Sequence, residues 1–279
     1  MDLALATPAP ATSQVRPFGE HLRAWRLRRR MSQLDLAGEA DISTRHLSFV
    51  ETGRSVPSRE MVLRLAERLD VPLRERNALL VAAGYAPMYR ERPLDDPALA
   101  AARDAVQLIL DSHEPYPALA IDRYWNLVAH NALVPHLLAG VPASLMQPPV
   151  NVLRLSLHPE GLAPRIVNIG QWRHHLFERL RQQIQATGDT KLQALEQELR
   201  SYPVPPDGDA TRLSGEMLGI VVPLRFRTPA GVINLISTTT VFGSPVDVTL
   251  QELALETFFP ADEATGAALR ALAGSPPAG

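Results

Sequence analysis

Ser32–Ser58 reads SQLDLAGEADISTRHLSFVETGRSVPS, and this stretch decides the fold of the first part of the chain. Ser32 and Asp35 have the spacing of a capping box, in which the side chain at the start of a helix and the acidic side chain three positions later each bond the other residue's backbone N–H. Leu36 and Ala37 supply apolar positions on one face of the helix that follows. The spacing therefore predicts a short amphipathic helix beginning just after Ser32.

A second helix follows after a very short connection. Asp41 opens the turn, and Ser43 can cap a helix in which Leu47 and Val50 point inward. Two helices joined this tightly form a helix-turn-helix unit.

Three further helices complete an all-helical bundle of five. Phe18, Leu22 and Trp25 fall on one face of a helix that precedes the quoted stretch. Another helix begins at Ser58, and a fifth lies between a proline near its first turn and a glycine just past its end, which is the usual asymmetry of helix ends.

The quoted stretch resembles the Cro/repressor-like helix-turn-helix proteins, also called the Xre family, in its length, its apolar spacing and the Gln33 that opens its first helix. Asp41 departs from the glycine that the family usually places there in a left-handed turn, and aspartate tolerates that conformation. The resemblance also implies an ion pair between Arg26 and Glu51 that joins the first helix to the end of the third.

In such a module the third helix enters the major groove of double-stranded DNA. Arg45 is the strongest candidate for base readout, because arginine can bond guanine O6 and N7 together. Gln33 and Arg54 are placed to bind phosphate and fix the register. The residues expected to approach base edges are Ser43, Thr44, Arg45, His46, Ser48 and Phe49.

Composition narrows the class of protein. The chain has 28 Lys+Arg and 30 Asp+Glu among its 279 residues, but residues 16–76 carry 13 Arg and 9 Asp+Glu and the remainder is acidic. The absence of cysteine excludes disulfides and thiolate metal sites and suits the cytoplasm, which is the expected location. The first residues have neither the basic region of a secretory signal nor an unbroken apolar run, so we expect no membrane insertion.

The remainder of the chain predicts an α+β domain. A helix is expected at 97–113, and a helical middle separates two early strands from three late ones, an order that matches a PAS-like domain with a five-stranded antiparallel sheet. Leu253, Leu255 and Phe259 are expected on one face of the last strand. The predicted strands are 118–121, 124–129 (after a tight Asp122–Arg123 turn), 219–227, 232–242 and 252–259.

Three segments closely resemble the MmyB-like transcription regulators: HLSFVETGRSVPSREMVLRLAERLDVPLRERNALLVAAGYAP, EPYPALAIDRYWNLVAHN and STTTVFGSPVDVTLQELALETFFPADEAT. The resemblance extends over nearly the whole chain after residue 17. It implies an Xre-type DNA-binding domain joined to a PAS-like ligand-binding domain. The expected organisation is a disordered tail at 1–16, the helix-turn-helix domain at 17–84, a linker at 85–96, the PAS-like ligand-binding and dimerisation domain at 97–273 and a disordered tail at 274–279.

A PAS-like sheet folds over a pocket, and an apolar pocket would suit a fatty acid or another small hydrophobic ligand. Trp125 and Trp172 could line it, although each is more often an ordinary core residue. A carboxylate head would need a partner such as Arg123, His130 or Arg154. No other cofactor is expected.

Other functions have less support from the sequence. No nucleophile elbow, phosphate-binding loop, dinucleotide fingerprint or zinc-protease motif occurs, so no catalytic residue is assigned and the chain is not expected to be an enzyme. His174 and His175 diverge on a helix and would chelate a metal poorly. The leading hypothesis is a ligand-responsive homodimer on a near-palindromic operator, held together in part by the 97–113 helix. The alternative is a DNA-binding adaptor whose second domain binds a partner protein.

Overall fold

The computed structural model describes residues 17–203, 222–242 and 247–274. The chain divides into two compact units between Tyr89 and Arg90. The first is all-helical and the second is α+β with a curled, five-stranded antiparallel sheet. The predicted fold class is therefore confirmed. The expected tail at 1–16 lies outside the described residues, and so does the expected tail at 274–279 except for Gly274.

The first unit is a bundle of five helices around one apolar core. Leu22, Leu36, Leu47, Leu65 and Leu80 are each fully buried in this core, one from every helix. The apolar helix faces that the sequence predicts therefore pack against one another. The helices are α1 Phe18–Arg28, α2 Gln33–Glu39, α3 Thr44–Glu51, α4 Arg59–Arg68 and α5 Leu73–Ala82.

Local chemistry fixes the turn that joins α2 to α3. The Ser32 hydroxyl accepts the Asp35 N–H while the Asp35 carboxylate accepts the Ser32 N–H, so the predicted capping box is confirmed. These bonds hold the pKa of the Asp35 carboxyl below its ordinary value. Ser43 caps α3 through the His46 N–H, and Asp41 has φ of 53°, the left-handed conformation expected of the turn.

The second unit places helices on both faces of its sheet. The strands are β1 Ala118–Ile121, β2 Leu127–His130, β3 Leu224–Thr228, β4 Gly231–Val241 and β5 Ala254–Pro260. The strand order is β2-β1-β5-β4-β3, and all neighbouring strands are antiparallel. The helices are α6 Ala100–Ser112, α7 Leu133–Leu138, α8 Val152–Leu157, α9 Ile169–Thr187, α10 Thr190–Ser201, α11 Val248–Gln251 and α12 Glu263–Ala273.

Alternation along the strands separates two apolar clusters. Ala118 and Ala120 of β1 pack with Val106 and Leu110 of α6 on one face. Ile121 belongs to the larger cluster on the other face, which is built mainly with α8, α9 and α10. Because successive strand side chains point to opposite faces, a strand between two helical layers is apolar on both.

The turn after β1 is longer than the sequence suggested. The Asp122 carboxylate accepts the backbone N–H groups of Tyr124 and Asn126, and Trp125 between them has φ of 66°. The predicted tight Asp122–Arg123 turn and the strand start at Tyr124 were wrong, because these side-chain bonds wind the backbone into a loop before β2 begins.

Other element boundaries also differ from expectation. Pro97–Leu99 forms a 3-10 turn ahead of α6. Residues 219–221 of the predicted third strand lie outside the described residues, and β3 begins only at Leu224. Asp247 accepts the Thr249 N–H and starts α11, so the last strand begins later than predicted.

Phe259 does not share the burial of Leu253 and Leu255. Its side chain is 42% exposed, whereas theirs are 2% exposed. It lies near the end of β5, where its ring makes an edge contact with His113. Alternation keeps Phe259 on the same face as Leu255, as expected, but at the end of β5 that face is open to solvent.

Candidate DNA-binding surface and ligand cavity

Helix α3 buries one side and presents the other to solvent. Leu47, Val50 and Glu51 are buried. The opposite side carries the residues expected to face DNA, of which Ser43 and Arg45 are exposed, and Thr44, His46, Ser48 and Phe49 are half-buried. The bundle thus presents the proposed recognition surface on a helix whose inner side is fixed by the core.

Two guanidinium groups flank the Phe49 ring. The Arg45 guanidinium lies 5.3 Å from the ring centroid and that of Arg54 lies 5.9 Å from it. Both arginines are exposed. The ring can hold both cations through their attraction to its face, and the cluster gives this side of the bundle a local positive charge.

Gln33 takes part in a buried network behind this surface. Its amide donates to the Glu51 carboxylate at 2.7 Å. Glu51 also accepts two bonds from Arg26, at 2.6 and 2.9 Å, which confirms the ion pair that the family resemblance implied. These bonds raise the pKa of the Arg26 guanidinium above its ordinary value despite its burial. Since an amide has two donor hydrogens, the bond to Glu51 leaves one for a phosphate.

The second unit contains a cavity of about 110 Å³ between the sheet and helices α7, α8 and α9. The wall is mainly leucine, valine and aromatic side chains. Among the described residues that line it, the charged ones are Arg179 and Glu256. Its strand residues include Leu119, Leu224, Phe226, Leu235 and Phe258, and its helix residues include Val134, Leu137, Leu153, Leu155, Trp172 and Leu176.

Both predicted tryptophans lie on the cavity wall, and their indole N–H groups differ. Trp125 Nε1 donates to Gln183 Oε1 at 2.8 Å. Trp172 Nε1 is buried and has no hydrogen-bond partner in the described part of the chain. The His175 ring lies 5.4 Å from the Trp172 ring, and burial together with the Arg179 charge lowers the pKa of His175.

The predicted partners of a carboxylate head lie away from the cavity wall. Arg123 is paired with Asp189 and Glu252, and this pairing helps to hold the pKa of the Asp189 carboxyl below its ordinary value despite burial. Arg154 makes two bonds to Glu198, both 2.7 Å. His130 Nδ1 lies 2.9 Å from the Asn131 carbonyl. None of the three predicted residues lines the cavity.

Sequence reasoning missed the charged pair on the wall. Arg179 donates to Glu256 at 2.5 and 3.1 Å and to the Thr239 hydroxyl at 2.8 Å, and its guanidinium lies 4.7 Å from the Trp125 ring centroid. Glu256 is 5% exposed. A lone acidic residue in the apolar strand LETFF was the available signal, because a buried carboxylate requires a partner.

The described part of the chain contains neither a candidate metal-binding cluster nor a candidate membrane-spanning helix. No group of three or more histidine, aspartate or glutamate side chains there could hold a metal ion. No helix in those same residues has the length and apolar character needed to cross a membrane.

Comparisons with known proteins agree with these two units. Residues 17–79 match a helix-turn-helix domain family, and residues 102–272 match the MmyB-like transcription regulator ligand binding domain. Among curated proteins no match is found. One solved structure, the clp gene regulator ClgR from Corynebacterium glutamicum, is 23% identical over 39% of this chain and 99% of its own, with a TM-score of 0.22, which is too low to support an argument.

The second match spans more than half of the chain and contains the cavity, and the first contains the exposed face of α3. A DNA-binding module and a ligand-binding module on one chain are the parts of a transcription regulator. The chain belongs to the MmyB-like transcription regulators.

Proposed function

We propose that this protein is an Xre-type regulator whose affinity for its operator changes when a small hydrophobic ligand occupies the PAS-like second unit. The observation that carries the proposal is the apolar cavity of about 110 Å³ between the sheet and three helices. Apolar walls with a few polar groups are typical of small-molecule sites. We further propose that the regulator is not an enzyme and acts in the cytoplasm, where its DNA would lie.

DNA recognition in the proposal depends on α3. Arg45 would bond a guanine edge, and Phe49 would contact a thymine methyl group. Arg54 and Gln33 would hold the phosphate backbone and fix the register. The backing network through Glu51 supports this assignment because it locks α1, α2 and α3 together beneath the exposed face.

A homodimer would supply the second recognition helix. One helix-turn-helix reads only a few base pairs, and paired modules usually read half-sites about 10 base pairs apart. Helix α6 supports dimerisation, because Leu108 is 67% exposed and Ile109 is 43% exposed. A near-palindromic operator follows from the two-fold symmetry of such a dimer.

Ligand removal tests the proposal directly. Protein would be extracted under denaturing conditions, refolded without lipid, and compared with untreated protein in footprinting on its own promoter, while mass spectrometry identifies the extracted molecules. The expected result is a bound hydrophobic molecule and a 5- to 150-fold difference in operator affinity, the usual range of coupling between sites. Equal affinity of stripped and loaded protein would favour the adaptor function instead.

A further inference from the structure

The polar part of the cavity wall contains a compensated pair of charges. Arg179 and Glu256 are bonded to each other at 2.5 and 3.1 Å. Thr239 adds a hydroxyl that bonds both, at 2.8 and 2.9 Å. Both charges of the wall are therefore satisfied within the protein, and the pair has no net charge to offer a ligand.

Among the described residues that line the cavity, a ligand carboxylate would find no available cation. Placed beside the pair, it would meet the Glu256 carboxylate as well as Arg179. At a separation of about 4 Å and an effective dielectric constant of about 20, like charges weaken binding roughly 1000-fold before screening by the arginine. Removing the carboxylate from water adds to this penalty.

Other basic groups near the cavity do not change this conclusion. Arg165 lies 4.4 Å from the Phe226 ring centroid, but it donates to the Leu137 and Ala139 carbonyls, both at 2.9 Å, and does not line the cavity. His175 is held towards its neutral form because burial and Arg179 lower its pKa. The wall therefore selects against an anion.

Trp172, which lines the cavity, carries a buried donor. Trp172 is 4% exposed, and its Nε1 has no hydrogen-bond partner among the described residues. A buried donor left without a partner keeps its full desolvation cost. A ligand oxygen placed against this indole would remove that cost, whereas a purely apolar ligand would not.

From these observations we propose that the ligand is an uncharged amphiphile with a carbonyl, amide or hydroxyl oxygen that accepts a hydrogen bond from Trp172 Nε1 beside the neutral Arg179–Glu256 pair. This inference rests on the proposed function and narrows it, because a free fatty acid is then disfavoured relative to its neutral derivatives.

Octanamide and octanoate provide a matched pair of probes, since they have nearly the same shape and differ in charge. Calorimetric titration of the full-length protein at pH 8 should give at least about 10-fold tighter binding of octanamide. Trp172→Phe should weaken octanamide binding roughly 2- to 13-fold, the range for one neutral hydrogen bond. Circular dichroism checks that the variant is folded.

Glu256→Gln supplies a test that loss of folding cannot imitate. It leaves Arg179 as an unpaired cation, so octanoate should gain at least about 10-fold in affinity and the preference should shift towards the anion. Glu198→Gln is the matched control, because it unpairs Arg154 in a partly exposed pair away from the cavity wall and should leave the preference unchanged.

The outcomes separate the two levels of the proposal. Octanoate binding as tightly as octanamide to the unaltered protein, or unchanged octanamide affinity in Trp172→Phe, would overturn the inference about the head group and leave a ligand-responsive regulator standing. If neither probe binds and neither changes operator affinity, the proposed function fails together with the inference.

Discussion

Removal of the Glu51 carboxylate should destabilise the helical unit far more than removal of any surface charge. Glu51 and Arg26 are each 7% exposed. The carboxylate accepts two bonds from Arg26 and one from Gln33. Glu51→Ala would leave the guanidinium buried beside an empty space, and breaking one partner of a buried pair typically costs about 3–5 kcal/mol. This is a large part of the roughly 5–15 kcal/mol that stabilises a typical domain.

The Arg154–Glu198 pair provides a control with the same chemistry in a different setting. Its side chains are 42% and 38% exposed, and exposed pairs contribute only about 0–1 kcal/mol because water and salt screen them. Glu198→Ala should therefore change the stability of the second unit little. The contrast between the two substitutions isolates burial as the cause.

Native-state hydrogen exchange with mass spectrometry measures both units in one sample, because each peptide reports the opening of its own region. In Glu51→Ala, peptides from α1 and α3 should exchange roughly 150- to 5000-fold faster, the rate equivalent of about 3–5 kcal/mol. In Glu198→Ala, peptides from α8 and α10 should change by less than about 5-fold. The explanation would be refuted if both substitutions accelerated exchange equally. Replacing both members of the buried pair with apolar residues should recover much of the loss.

Three further predictions concern DNA readout, the two indoles and alkaline pH. Arg45→Ala should cost roughly 1–3 kcal/mol on the operator and relax preference at one base pair, whereas Gln33→Ala should weaken all sequences about equally, as measured by binding to an operator library. Trp125→Phe should lower the free energy of unfolding of the second unit more than Trp172→Phe, because of these two substitutions only the one at Trp125 leaves a protein acceptor without its donor. Equal losses of stability in denaturant titrations would contradict this. Burial and the Glu198 bond raise the pKa of Tyr202 from 10.0 to about 12, so its contribution to stability is present below pH 10 and is lost as pH rises towards about 12. Tyr202→Phe should lack this component of alkaline unfolding, and an unchanged pH profile would count against it.

The helix-turn-helix unit could be predicted closely because its determinants are local. The capping box at Ser32 and Asp35 and the left-handed turn at Asp41 depend on residues a few positions apart. The apolar stripes have the period of a helix, so the five helices followed from spacing alone. The Arg26–Glu51 pair spans 25 residues, and only the resemblance to a family implied it.

The cavity could be predicted as a feature of the architecture, but its polar chemistry could not. Strand β5 is apolar on both faces, so alternation does not reveal which face meets the cavity, and Glu256 lies on the side opposite Leu253 and Leu255. Its partner Arg179 is 77 positions away. The arginines that looked suitable from sequence, Arg123 and Arg154, are paired with carboxylates elsewhere, and such pairing is set by tertiary contacts.

The segment between the two units is more firmly attached than its polar composition suggested. Asn77 accepts the N–H groups of Met88 and Tyr89, and the Thr249 hydroxyl donates to the Arg92 carbonyl. The first half of the expected linker is thus bonded to the helical unit and the second half to the α+β unit.

A ligand in the cavity can alter DNA affinity only if it binds two arrangements of the protein with different affinities, and a 5- to 150-fold effect requires about 1–3 kcal/mol of difference. A few hydrogen bonds at about 0.5–1.5 kcal/mol each are enough for that difference. The bonds that attach each half of this segment are therefore of the right magnitude to carry the proposed response, since exchanging two or three of them would account for a change of that size.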